Sequence, residues 1–166
     1  PVPHKFKVGI SGCANNCMKA EENDIGIKGY VEPRWTREGC TFCKVCEAVC
    51  PTKIVRVSEE DGRVSVDLSG CIGCGDCIEA CPTGTMREES RGYQIFAGGK
   101  FGRTPSLGRK ILGVLRTHEE AIAVIDAAIE FFREFGKPKE RFGDTLKRTG
   151  IQALETYIEE RREHIP

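Results

Sequence analysis

Polar and apolar residues alternate over Lys5-Phe6-Lys7-Val8-Gly9-Ile10 and again over Asp24-Ile25-Gly26-Ile27-Lys28-Gly29-Tyr30-Val31. This two-residue period predicts two strands of one sheet. Ile54-Val55-Arg56-Val57 and Val64-Ser65-Val66 flank Asp61-Gly62, which predicts a hairpin. Further strands are expected at Tyr93-Gln94-Ile95-Phe96 and from Ile111 to Leu115, with a glycine-rich stretch from Gly98 to Gly108 between them. The period then changes. Thr117-His118-Glu119-Glu120 predicts a capping box, and Ile122, Ile125, Ala128, Ile129 and Phe132 recur at helical spacing until Gly136 and Pro138, so that face is expected in the core. Two further helices are expected, from about Lys139 to Thr149 and from about Ile151 to Arg162, with Gly150 between them. Strands first and helices last give an α+β fold.

Composition narrows the function classes. The 166 residues carry no net charge, which disfavours nonspecific nucleic-acid binding, and no apolar run approaches the roughly 18 residues of a transmembrane helix. The charge is unevenly placed. Residues 38–85 hold four Lys/Arg against eight Asp/Glu, and the remainder holds 21 against 17. An acidic module on a mildly basic scaffold is expected.

The module contains the most informative pattern of the chain. Cys40-x2-Cys43-x2-Cys46-x3-Cys50-Pro51 recurs 31 residues later as Cys71-x2-Cys74-x2-Cys77-x3-Cys81-Pro82. In such a run three thiolates on consecutive tight turns reach three corners of a cubane, and the fourth turns to the neighbouring cluster. The ligand sets are therefore expected to cross: Cys40, Cys43, Cys46 and Cys81 for one 4Fe-4S cluster, and Cys71, Cys74, Cys77 and Cys50 for the other. Zinc sites have no role for a third cysteine at the next x2 step or for the trailing Cys-Pro, and neighbouring x2 cysteines are poor disulfide partners. The pattern is that of a two-cluster bacterial-type ferredoxin. Oxygen-sensitive thiolate clusters point to a reducing cytoplasm.

Cys13 and Cys17 lie outside the repeat, in Ser11-Gly12-Cys13-Ala14-Asn15-Asn16-Cys17. Two thiolates cannot enclose a cubane, and by spacing alone they read equally well as structural thiols and as ligands. The surrounding sequence resembles a known family. Pro3 to Cys17, followed by Asp24-Ile25-Gly26-Ile27-Lys28-Gly29, closely resembles the second half of the sirohaem and 4Fe-4S signature of sulfite and nitrite reductases, and so does Gly98-Gly99-Lys100-Phe101-Gly102-Arg103-Thr104-Pro105-Ser106-Leu107-Gly108. A two-cluster ferredoxin inserted between these blocks resembles the arrangement of dissimilatory and anaerobic-type sulfite reductase subunits.

The resemblance implies half of a sirohaem-reductase scaffold at residues 1–36 and 86–166, with the ferredoxin domain inserted at 37–85. It implies that Cys13 is a ligand of a further 4Fe-4S cluster and that Cys17 bridges that cluster to the sirohaem iron as the catalytic thiolate. Asn15 is expected to hydrogen-bond near the haem, and Lys100 and Arg103 to pair with its carboxylates. Lys19 and Lys28 are candidate cations for the substrate. The implied reaction is six-electron reduction of sulfite to sulfide, with nitrite reduction on the same scaffold and a stand-alone electron carrier as alternatives. The family's C-x5-C pair is absent, and the chain opens at Pro1 inside what resembles a domain. A C-terminal fragment is therefore expected, incomplete and inactive alone, whose partners are the N-terminal half and an electron-donor protein or reductase subunit.

Overall fold

The computed structural model describes residues 1–162. Its strands are β1 (Val8–Ser11), β2 (Ile25–Trp35), β3 (Val55–Ser58), β4 (Arg63–Val66), β5 (Met86–Ala97) and β6 (Arg109–Leu115). Its α-helices are α1 (Val45–Val49), α2 (Asp76–Glu79), α3 (His118–Phe135), α4 (Phe142–Thr149) and α5 (Ile151–Arg162), and 3-10 turns lie at Ala20–Glu22 and Leu68–Gly70. A mixed four-stranded sheet has the order β1-β2-β5-β6, with β1 parallel to β2 and β5 antiparallel to β6. The fold is α+β, as the strand and helix patterns predict. Two compact units are present, residues 1–28 with 92–166 and residues 29–91, and the chain passes from one to the other within β2 and back within β5.

The first unit has its own core. Ile25, Ile27, Ile95, Ala97, Ile111 and Leu115 of the strands are buried with residues of α3, α4 and α5. Phe131, Phe132 and Phe142 are at most 1% exposed, and burying each side chain contributes about 1.5–3 kcal/mol. The capping box at Thr117 and Glu120 is present in full. The rotation of α3 differs from expectation. Ala121, Val124, Ala127, Ala128, Phe131 and Phe132 are buried, whereas Ile122 is 57% exposed. Apolar residues surround much of this helix, so periodicity cannot select the inward face. The small side chains at 121, 127 and 128 permit the close approach that Ile122 would obstruct.

A buried ion pair ties the two ends of this unit together. Asp24 is fully buried, and its Oδ2 accepts from the Lys7 amide at 2.9 Å and from Arg141 Nη2 at 2.7 Å. Asp24→Asn is expected to destabilise the protein by about 3–5 kcal/mol, because Arg141 is left partly buried without its counter-charge. Anaerobic denaturant unfolding of both forms measures this, and a loss below about 1 kcal/mol would show that the pair is dispensable.

The second unit contains a β3-β4 hairpin with α1 and α2. Val55 pairs with Val66, Val57 with Val64 and Ser58 with Arg63, so the predicted hairpin forms, but residues 59–62 make its connection in place of a two-residue Asp61-Gly62 turn. Gly62 takes a positive φ of 57° in the turn. Val55 and Val64 of the hairpin and Met86 are buried together with the thiols of Cys50 and Cys77, so this small core is built around cysteines. Among the described residues, no helix is long and apolar enough to cross a membrane.

Candidate metal centres

The sequence repeat extends to backbone geometry. Phe42, Lys44 and Lys53 have φ of 53°, 62° and 57°, and 31 positions later Gly73, Gly75 and Gly84 have φ of 67°, 85° and 64°. The first two left-handed residues of each set turn the chain within its C-x2-C-x2-C run, just before α1 or α2 begins. In the second copy glycine makes this conformation easy, and in the first copy non-glycine residues adopt it at some cost. Glycine at 73 has a second reason: a Cβ there would lie 2.2 Å from the Tyr30 ring.

This folding gathers the eight thiols into two groups of four. Cys40, Cys43, Cys46 and Cys81 line one small pocket, together with Phe42, Val57, Val64 and Pro82. Cys50, Cys71, Cys74 and Cys77 line another, together with Val31, Ile54, Val55 and Ile72. In each pocket three cysteines come from one copy of the repeat and the fourth from the other. Apolar walls and four soft donors suit an iron-sulfur cubane. Among the described residues no group of three or more His, Cys, Asp or Glu side chains is placed to hold a single metal ion.

The electrostatics of the thiols also repeat. Burial pushes Cys46 up, and it pushes Cys77 up to about 12, reinforced there by the neighbouring Cys74 and Cys71. The trailing cysteines go the other way. Burial raises Cys81, but the Met86 amide and the Thr85 and Thr83 hydroxyls outweigh it and bring the thiol down to about 6. Cys50 is lowered likewise, burial being outweighed by the Ile54 amide, the Thr52 hydroxyl and the Val55 amide. The Thr52 and Thr83 hydroxyls each sit 3.7 Å from their cysteine sulfur. Sequence reasoning missed them, although the repeated Cys-Pro-Thr at 50–52 and 81–83 carried the signal.

The first unit holds Cys13 and Cys17, both exposed, on the loop between β1 and the 3-10 turn. The glycine-rich segment packs beside that turn. Gly108 N donates to Glu21 O at 2.7 Å, a Cβ on Gly99 would lie 2.1 Å from the same oxygen, and Lys19 Nζ sits 5.5 Å from the centroid of the Phe101 ring. The 3-10 turn and the glycine-rich segment, far apart in sequence, thus meet. Arg103 and Phe101 are exposed on this segment. Lys100 instead pairs with Asp144 at 2.9 Å, and Lys28, 8% exposed, pairs with Glu21 at 2.7 Å. Asn15 is exposed, and it is the neighbouring Asn16 whose side chain is hydrogen-bonded within the loop.

Residues 1–165 match the nitrite and sulphite reductase 4Fe-4S domain family. The chain belongs to that family. Iron-sulfur binding is accordingly the chemistry of this fold. The chain is 40% identical over 152 residues to the coenzyme F420-dependent sulfite reductase of Methanocaldococcus jannaschii, covering 90% of this chain and 24% of that protein. It is 35% identical over 143 residues to an anaerobic sulfite reductase subunit of Salmonella typhimurium, covering 83% of this chain and 42% of the relative. A crystal structure of dissimilatory sulfite reductase I superposes with a TM-score of 0.68 at 24% identity, over 99% of this chain and 46% of that one. This family member therefore spans about a quarter to a half of each of these three proteins.

Proposed function

We propose that this chain is a portion of a sulfite reductase, with a two-cluster ferredoxin domain at residues 37–85 set into half of a sirohaem-binding scaffold at 1–36 and 86–166. The grouping of the eight repeated cysteines into two crossed sets of four carries the electron-transfer part of this reading. The packing of Gly98–Gly108 against Lys19 and the 3-10 turn that follow Cys17 supports the sirohaem part, and the names of the relatives favour sulfite over nitrite. When bound, the clusters and sirohaem supply one-electron carriers and the metal at which sulfite takes up six electrons to become sulfide.

The chain's own residues have separable tasks. Cys40, Cys43, Cys46 and Cys81 hold one ferredoxin cluster, and Cys71, Cys74, Cys77 and Cys50 the other. The Thr52, Thr83 and Thr85 hydroxyls and the Met86 amide hydrogen-bond the trailing sulfurs, which favours the thiolate and tunes potential. Cys13 and Cys17 would hold a further cluster as two of its thiolate ligands, Cys17 as the ligand that couples it to the sirohaem, and the other ligands would come from elsewhere in the longer protein. Arg103, exposed on its loop, would be the residue to pair with a haem carboxylate, and Lys100 would do so only by sharing or leaving Asp144. An electron donor meets the acidic module in a reducing cytoplasm.

Iron, acid-labile sulfide and sirohaem assays, done anaerobically, test the reading. The isolated chain is expected to hold about eight irons and no sirohaem, and the full-length protein about twelve irons with sirohaem. A full-length protein with about eight irons and no haem would leave only an electron carrier.

A further inference from the structure

We infer that Asn16 is the positioning residue of the Cys13–Cys17 loop, acting through a polar chain to Glu21 and Lys28 that fixes how the two thiols are presented. The inference rests on the reading of Cys13 and Cys17 as cluster ligands. Burial does little to hold this loop. Between Ser11 and Ala20, both buried, Gly12, Cys13, Asn15, Cys17, Met18 and Lys19 are all exposed, and no helix or strand intervenes. Its shape must come from polar contacts, and those converge on one side chain.

Asn16 has φ of 53°, a left-handed conformation that asparagine tolerates better than most residues. Its main chain donates to Cys13 O at 3.2 Å and accepts from Lys19 N at 2.8 Å, bracketing Cys17 on both sides. Its side-chain oxygen accepts from the Ser11 hydroxyl at 3.1 Å and from the Ala20 amide at 2.8 Å. Its side-chain nitrogen donates to Glu21 Oε2, and Glu21 Oε1 accepts from Lys28 Nζ at 2.7 Å. Lys28 Nζ lies 4.7 Å from the Phe96 ring centroid, with its side chain 10% exposed. Ser11 and Lys28 are register partners across the β1-β2 pair. The chain of contacts thus starts and ends on paired strand positions and runs through the loop as a cross-brace. Gly26 completes the fit, since a Cβ there would lie 2.3 Å from Ala20 O and push the 3-10 turn off β2. Lys28, paired with Glu21, braces the loop.

The direction of the Asn16–Glu21 hydrogen bond supplies a reversal test in the full-length protein. Asn16→Asp keeps the acceptor for Ser11 and Ala20 but sets a carboxylate against Glu21. Asn16→Asp with Glu21→Gln restores the contact with donor and acceptor exchanged. The new amide at position 21 donates to the new carboxylate at position 16, its oxygen still accepts from Lys28, and net charge equals that of the parent. The readouts are the rate at which an iron chelator strips the Cys13/Cys17 cluster and the electron paramagnetic resonance signal of its coupling to the haem. The two ferredoxin clusters serve as an internal control of folding. The single variant is expected to lose iron from this centre about 10–100-fold faster, and the double variant to recover most of that loss. A single variant that behaves like the parent, or a double variant no better than the single, would overturn the inference. A parent protein with no third cluster would instead remove its premise, and the composition assay reveals that before any variant is made.

Discussion

Cys81→Ser is expected to abolish the cluster proposed for Cys40, Cys43 and Cys46 while leaving the one proposed for its own cysteine run intact. Cys81 follows Cys77 closely in the chain, yet it lines the pocket of the first cysteine run. Iron is expected to fall from about eight to about four in the isolated chain. Double variants identify which cluster has gone. Adding Cys43→Ser should remove nothing more, because both residues serve the same cluster, whereas adding Cys74→Ser should take iron close to zero. Residues that act as one unit are non-additive in this way, and residues of separate units add. The opposite pattern, with Cys43→Ser stripping the last iron, would mean that each run holds its own cluster.

Cys17→Ser in the full-length protein is the second large effect. A serine oxygen is a poor soft donor and would not replace the thiolate proposed to link cluster and haem. Sulfite turnover is expected to fall by more than about 100-fold, beyond the range for residues that merely support a ligand. The spectroscopic coupling is expected to vanish while the eight ferredoxin irons remain. Retained turnover would reduce the scaffold to a docking platform for an electron carrier. Measuring nitrite turnover beside sulfite separates the two anions.

The elements of the fold were legible wherever one local rule sufficed. The existence of the hairpin, the capping box at Thr117 and the place of the first two strands in one sheet follow from alternation and turn chemistry, whereas the hairpin's longer connection at 59–62 does not. Less legible was the length of β2, which runs on through Pro33 to Trp35. Proline normally ends a strand inside a sheet because it has no N–H to donate, but β1 pairs with β2 only as far as Lys28, so the β1 side makes no demand on position 33. The rotation of α3 depended on packing volumes that periodicity does not contain. At the site, cysteine spacing led directly to the two sets of four. Asn16 was obscured by its neighbour: two consecutive asparagines look alike in sequence, and only the left-handed backbone decides which one turns inward.

The closeness of two threonines has a bearing on how such a chain arises. Thr36 N donates to Thr85 O at 2.9 Å, and the Thr36 hydroxyl reaches the same oxygen at 3.3 Å. The stretch proposed as the ferredoxin domain thus leaves and rejoins the rest of the chain at points that hydrogen-bond directly to each other. A short hairpin turn would span that gap. An ancestral gene could therefore have gained or shed residues 37–85 in one event without altering the path of the strands on either side.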